Sequence, residues 1–203
     1  GFFLGYVQSA LKVSKAKGRI LQLNSGWKPL IIFPHSKEIW LDADDKQLRS
    51  FAGLAIQSNK PQGMSLTPVV QKSSNFNNKM EGFYDVDYFP WKLAIWTSKG
   101  RYPSTIDINQ PVFLKQWPNF TRLVVTPHAI QIAALLILAP RTALDIAKVL
   151  KIKPQYVFVF ISAAQVLGLV GQAKRQADDI VLPSKEIKVA AKKGLLSRIL
   201  GRL

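Results

Sequence analysis

A chain of 203 residues with 48% hydrophobic content, 12 Gly, 12 Pro and five Trp has the composition of a folded globular protein, which excludes an intrinsically disordered one. It has room for two domains of roughly 100 residues, each able to bury its own core. The absence of cysteine excludes disulfides, thiolate metal sites and a cysteine nucleophile together, so the cytoplasm is the expected compartment. Lys and Arg number 28 against 12 Asp and Glu, a net +16 that attracts polyanions without choosing among nucleic acid, anionic lipid and acidic protein.

The amino end, GFFLGYVQSALK, has no basic segment before its apolar residues and does not read as a signal peptide. It lacks an initiator Met and reads as a fragment boundary, with residues expected before Gly1. After this amphipathic stretch, residues 19–23 and 29–33 read as short strands joined by a turn at Asn24, Ser25 and Gly26, the simplest arrangement being a hairpin. Residues 38–41 are a candidate third strand. They lead into DADDKQLRSFAGLAIQ, where Asp42, Asp44 or Asp45 is expected to cap a helix with Leu48, Phe51, Leu54 and Ala55 on its inner face. The same aspartates resemble a magnesium-type cluster, with capping the preferred reading.

Residues 58–79, with SNKPQG and KSSNFNN, read as a long connecting loop around a short TPVV segment. DYFPWKLAIWTSKGRYP predicts a helix from near Pro90, packed through Trp91, Leu93, Ala94 and Trp96 and ended by Gly100 and Pro103. PVFLKQWPNFTRL, with Trp117, reads as the element joining the two halves. Thr126 and Pro127 then predict the start of a helix that is apolar all round, the buried spine of a small domain. Its longest apolar run, residues 132–139, is far short of the roughly 20 residues that span a membrane.

A second helix is expected from Thr142, with Leu144, Ile146, Ala147 and Leu150 turned inward. A turn at Lys151, Ile152 and Lys153 then leads to a third helix opened by Pro154. Ala147 in the second helix, Ile152 in the turn, Val157 and Ile161 in the third helix and the Gly168, Leu169, Val170 ending form a pattern that resembles the winged helix-turn-helix superfamily over roughly residues 126–183. That resemblance implies a β-hairpin wing over residues 172–181, with Lys174 and Arg175 at or near its tip, and a fold used by many DNA-binding regulators. A fold does not by itself set a function.

The expected architecture is therefore α+β. A small amino-terminal α/β domain with a short antiparallel hairpin or sheet (residues 1–105) precedes a connecting element (106–125), a mostly helical winged-helix domain (126–184) and a basic amphipathic tail (185–203).

The third helix is the odd part of the pattern. Where a DNA-reading helix offers polar side chains to base edges, this one carries Gln155, Tyr156, Phe158, Val159 and Phe160, and no Arg or Lys lies between Pro154 and Ala173. Apolar side chains left in water are unfavourable by roughly 1.5–3 kcal/mol each relative to burial. Tyr156, Phe158, Val159 and Phe160 are therefore expected to be covered, by the amino-terminal domain or by a partner protein. Backbone contact with nucleic acid stays open through Lys148, Lys151, Lys153, Gln155, Lys174 and Arg175. In the tail, Leu195, Leu196, Ile199 and Leu200 share one helical arc and Arg198 and Arg202 the other, a segment suited to folding back, to a partner groove or to an anionic membrane surface.

No Gly-rich phosphate loop and no HExxH motif is present, and His35 and His128 sit beside no Ser or carboxylate in a recognisable arrangement. Asp85 and Asp87, beside Tyr84 and Tyr88, are too unspecific in spacing to name a chemistry. The chain is expected to be non-catalytic, without cofactor or metal. The leading functional expectation is a regulatory or adaptor protein that binds an acidic protein partner, ahead of a DNA-binding regulator and of a peripheral membrane factor.

Overall fold

The computed structural model of the chain describes residues 1–56, 65–69 and 82–172. Helix α1 (Phe3–Lys17) buries Phe3, Val7, Ala10 and Ser14, a stripe at helical spacing, and stops at Gly18, whose φ of 60° suits a residue without Cβ. β1 (Leu21–Asn24), β2 (Leu30–Phe33) and β3 (Glu38–Leu41) follow as an antiparallel meander. Leu21 faces Ile32, Leu23 faces Leu30, and Leu30 in turn faces Leu41, so one register carries the apolar set across all three strands. β4 (Ser65–Pro68) pairs with β1 and β5 (Phe83–Asp85) with β3, giving a five-stranded antiparallel sheet in the order β4-β1-β2-β3-β5. The expected loop over residues 58–79 thus contains a strand, and its other residues up to 64 and from 70 lie outside the described ones.

Helix α2 (Asp45–Ala52) begins at Asp44. The Asp44 carboxylate accepts from the Gln47 amide while the Gln47 side chain accepts from the Asp44 amide, a reciprocal cap. Its inner positions are Leu48 and Ala52. Leu54 and Ala55, expected on that face, lie past the end of the helix, and Leu54 is exposed.

Helix α3 (Tyr88–Ser98) is apolar on nearly every side because it lies between two cores. Phe89 and Leu93 join a cluster of Phe3, Val7, Leu30, Ile39 and Leu48, while Trp91 and Ala94 join Val112, Ile132, Leu136, Ile146 and Phe160. The described residues accordingly fall within one compact unit, and residues 173–203 lie outside the described ones.

The expected connecting element contains β6 (Val112–Leu114), which pairs antiparallel with β7 (Val170–Gln172). Val112 also exchanges backbone hydrogen bonds with Arg141. The segment is therefore part of the carboxyl-terminal sheet and more than a linker. Of the wing expected over residues 172–181, only Gln172, the last residue of β7, is described; the expected tip residues Lys174 and Arg175 lie outside the described residues.

Helix α4 (Ala129–Leu138) starts later than Thr126 and Pro127 suggested. His128 takes the boundary position at φ 61°, and the Thr126 hydroxyl is buried without a partner. Helix α5 (Ala143–Leu150) is capped by the Thr142 hydroxyl, which accepts from the Asp145 amide, and α6 (Pro154–Val166) opens at Pro154.

Candidate functional site

The apolar side of α6 is covered from within the chain. Phe160 is fully buried, edge-on to Trp91 of α3 with ring centroids 6.2 Å apart, and the Trp91 indole N–H donates to the Val124 carbonyl at 2.9 Å. Phe158, partly buried, meets Tyr102 edge-on at 5.2 Å, and Tyr156 meets His128 at 5.3 Å. Phe160 is thus not a partner contact, and Phe158 is largely spent on the loop after α3; the hydrophobic cost that demanded a cover is met by the amino-terminal half. Val159 and Tyr156 remain partly accessible.

What α6 leaves outside is its amino end. Lys148 in the last turn of α5, Lys151 and Lys153 in the turn, and Gln155 in the first turn of α6 are all exposed. Lys151 adopts φ 54°, and its amide donates back to the Ala147 and Lys148 carbonyls, which closes α5 and turns the chain sharply into α6. No side chain caps α6 and no acidic residue lies in its first turn, so the partial positive charge of its amino end adds to the lysines. None of the three lysines has an ion pair among the described residues. The carboxylate of Asp145 on α5 is held by Arg141 at 2.9 Å. A shallow concavity of about 520 Å³ beside the turn is lined by Thr142, Leu144, Asp145, Lys148, Ile152 and Pro154. The end of α3 adjoins this surface: a Cβ on Gly100 would come within 3.3 Å of the Gln155 Cβ, which brings the neighbourhood of Lys99 and Arg101 close to the start of α6.

Asp44, Asp45 and Asp85, among the acidic residues singled out in the sequence, are engaged in structural contacts. Asp44 is the cap of α2, the Asp42 carbonyl accepts from the Lys28 ammonium, and Asp45 pairs with Lys92 at 2.5 Å. Asp85 accepts from the Asp87 and Tyr88 amides, tying the turn into α3, and faces Arg122 at 3.7 Å. Among the described residues no group of three His, Cys, Asp or Glu is placed to hold a metal ion. His35 contacts the Gly18 carbonyl at 3.1 Å on the surface.

Two features gave no local signal in the sequence. Lys92 is almost wholly buried, with its ammonium 5.7, 4.9 and 5.3 Å from the ring centroids of Tyr84, Tyr88 and Trp96. Burial alone would push its pKa down, but its interactions with Asp45 and Tyr88 outweigh burial and hold it above the ordinary lysine value, so the side chain is held in its charged form. The second is a cleft of about 570 Å³ between α1, α3 and α6, lined by Leu4, Gln8, Ala94, Arg101, Thr105 and Val166 among others. Several of its polar groups are already engaged, Gln165 donating to Thr105 at 2.6 Å and Ser162 to the Phe158 carbonyl at 2.8 Å.

The tail residues Leu195, Leu196, Arg198, Ile199, Leu200 and Arg202 lie outside the described residues, among which no helix is long and apolar enough to cross a membrane. No protein-family model matches the chain, and neither a curated protein nor a solved structure is found similar to it.

Proposed function

We propose that this protein is a non-catalytic nucleic-acid-binding module, whose carboxyl-terminal half acts as a winged helix that holds the phosphate backbone through the turn between α5 and α6. The observation that carries this reading is the exposure of Lys148, Lys151 and Lys153, without ion pairs among the described residues, in front of an uncapped helix end. Backbone phosphates require little more than such charges and amides, and these contacts position a protein without reading sequence. Base discrimination is weak in this account. Gln155 is the one exposed amide side chain in the first turn of α6, and the residues that would continue a reading face, Phe158 and Phe160, are turned into packing.

The adaptor reading drew on the apolar third helix together with the net charge. Phe160, buried against Trp91, offers nothing to a partner, while Tyr156 and Val159 stay partly accessible beside the basic end, so the basic end is the larger exposed feature of this helix.

Fluorescence anisotropy with random-sequence duplex DNA at about 50 mM salt tests the proposal, with binding expected at micromolar dissociation constants or tighter. A Lys148→Ala, Lys151→Ala, Lys153→Ala triple variant is expected to fold normally and to bind at least about tenfold more weakly. No binding by the parent chain at that salt, or equal binding by the variant, contradicts the proposal.

A further inference from the structure

Helix α4 is apolar on two faces, and only one of them is filled by the described residues. Ile132, Ala133 and Leu136 point into the core, while Ile130 is 52% exposed, Ile137 45% and Leu138 81%, with Gln131 and Ala134 exposed between them. Ile130, Ala134, Ile137 and Leu138 follow helical spacing and form a continuous stripe on the order of 350 Å² of apolar surface, the size of patch that on monomeric proteins usually marks a contact. From Leu123 to Pro140 the sequence contains no Asp, Glu, Lys or Arg, in a chain with 28 basic residues.

We propose that this stripe pairs with the same stripe of a second copy of the chain, the two α4 helices running antiparallel about a two-fold axis at Ala134. Charge disfavours a charged occupant. An acidic protein or a nucleic acid finds no cation here, whereas two chains that each carry a net +16 meet with least repulsion through a segment without charge. Symmetry then accounts for the order of residues. In a two-fold contact residue i meets residue j and j meets i, and Ile130 and Leu138 lie equally far from Ala134, about one helical turn to either side. Ile130 thus packs against Leu138 of the partner subunit and the reverse, while the small side chain of Ala134 sits at the crossing, where two helices approach to about 8 Å. Two stripes with their rims bury about 1,000 Å² in total, near the lower limit for a specific interface, so the dimer is weak and depends on concentration.

Sedimentation velocity on the full chain from about 1 to about 200 µM tests the pairing, a range that brackets a micromolar dissociation constant. The expected weight-average mass rises from 22.7 kDa toward twice that value. Ala134→Glu, which sets two carboxylates on the axis, is expected to stay monomeric at the highest concentration with an unchanged melting temperature. Because the chain has no cysteine, Ala134→Cys offers an independent readout: oxidation should give a disulfide-linked dimer, while Ser9→Cys on α1 should not. A parent chain that stays monomeric throughout, an Ala134→Glu variant that dimerises as the parent does, or equal cross-linking at positions 9 and 134 each overturns the proposal. None of these readouts involves nucleic acid, so the pairing and the proposed function can fail separately.

Discussion

Replacing Lys92 separates what a buried lysine contributes through its carbon stem from what it contributes through its charge. The side chain is 8% exposed and its ammonium lies among three aromatic rings, but its carboxylate partner, Asp45, is 62% exposed and remains largely hydrated. An ion pair with one partner in water is worth about 1 kcal/mol, and the ring contacts together add about 1–2 kcal/mol. Against both stands the cost of holding an ammonium away from water, which the raised pKa shows these interactions exceed, so the net contribution of the charge is small and favourable. Lys92→Met keeps most of the stem between Tyr84, Tyr88 and Trp96, leaves Asp45 free to be solvated, and so should cost no more than about 1 kcal/mol. Lys92→Ala removes the stem as well and opens a cavity between α2, α3 and β5, at a cost of about 3 kcal/mol. For a chain of this length the difference corresponds to a melting temperature lower by about 4–8 °C in the Ala variant than in the Met variant. Urea titrations followed by tryptophan fluorescence report both, since Trp96 lies beside the substituted position. Equal destabilisation by Met and Ala would refute this reasoning, because the ammonium and not the packed stem would then hold the site together.

The same region sets an alkaline limit on stability. Lys92 is raised above its ordinary 10.5 by Asp45 and Tyr88 against the pull of burial, while burial raises the Tyr84 and Tyr102 phenols above 10.0. Each group binds its proton more tightly in the folded chain, so its contribution is complete below the unfolded value and is lost as pH rises through the folded one. Thermal melts should be insensitive to these groups at neutral pH and fall from about pH 10 upward; a decline between pH 7 and 9 would point to other groups. Phe160→Ala should cost about 3–5 kcal/mol in a urea titration, as expected for an aromatic side chain in the core. A stable, well-folded Phe160→Ala protein would contradict the packing of α6 on Trp91.

The parts of the fold that were legible in the sequence are those governed by neighbours along the chain. The meander of β1, β2 and β3 follows from alternating apolar residues broken at Asn24 to Gly26, and the starts of α2, α5 and α6 from Asp44, Thr142 and Pro154. β4, β5 and β6 are three or four residues long and exist because of distant partners, so nothing local distinguishes Phe83 or Val112 from loop residues. Helix α3 was legible from Pro90, Gly100 and Pro103, with Trp91, Leu93 and Ala94 buried as expected, but its place between two cores, which leaves it no polar face, was not. The basic turn at Lys148, Lys151 and Lys153 could be read directly, since a charge run between two helices has few places to go. That Phe160 is covered could be read as well, but not by what, because its cover is a tryptophan brought across by tertiary packing alone. The ring cluster around Lys92 was hidden for the same reason, its members coming from β5 and α3 and its carboxylate from α2.

The salt dependence of duplex binding distinguishes phosphate contact from other modes most directly. Between about 50 and 200 mM salt, the logarithm of the association constant should fall linearly with the logarithm of salt concentration, by about 0.9 for each phosphate neutralised. If Lys148, Lys151 and Lys153 each meet one phosphate, the slope of the triple alanine variant should be shallower than that of the parent chain by about 3. Parallel lines for the two proteins would place the contact elsewhere and contradict the assignment of the α5–α6 turn as the nucleic-acid surface.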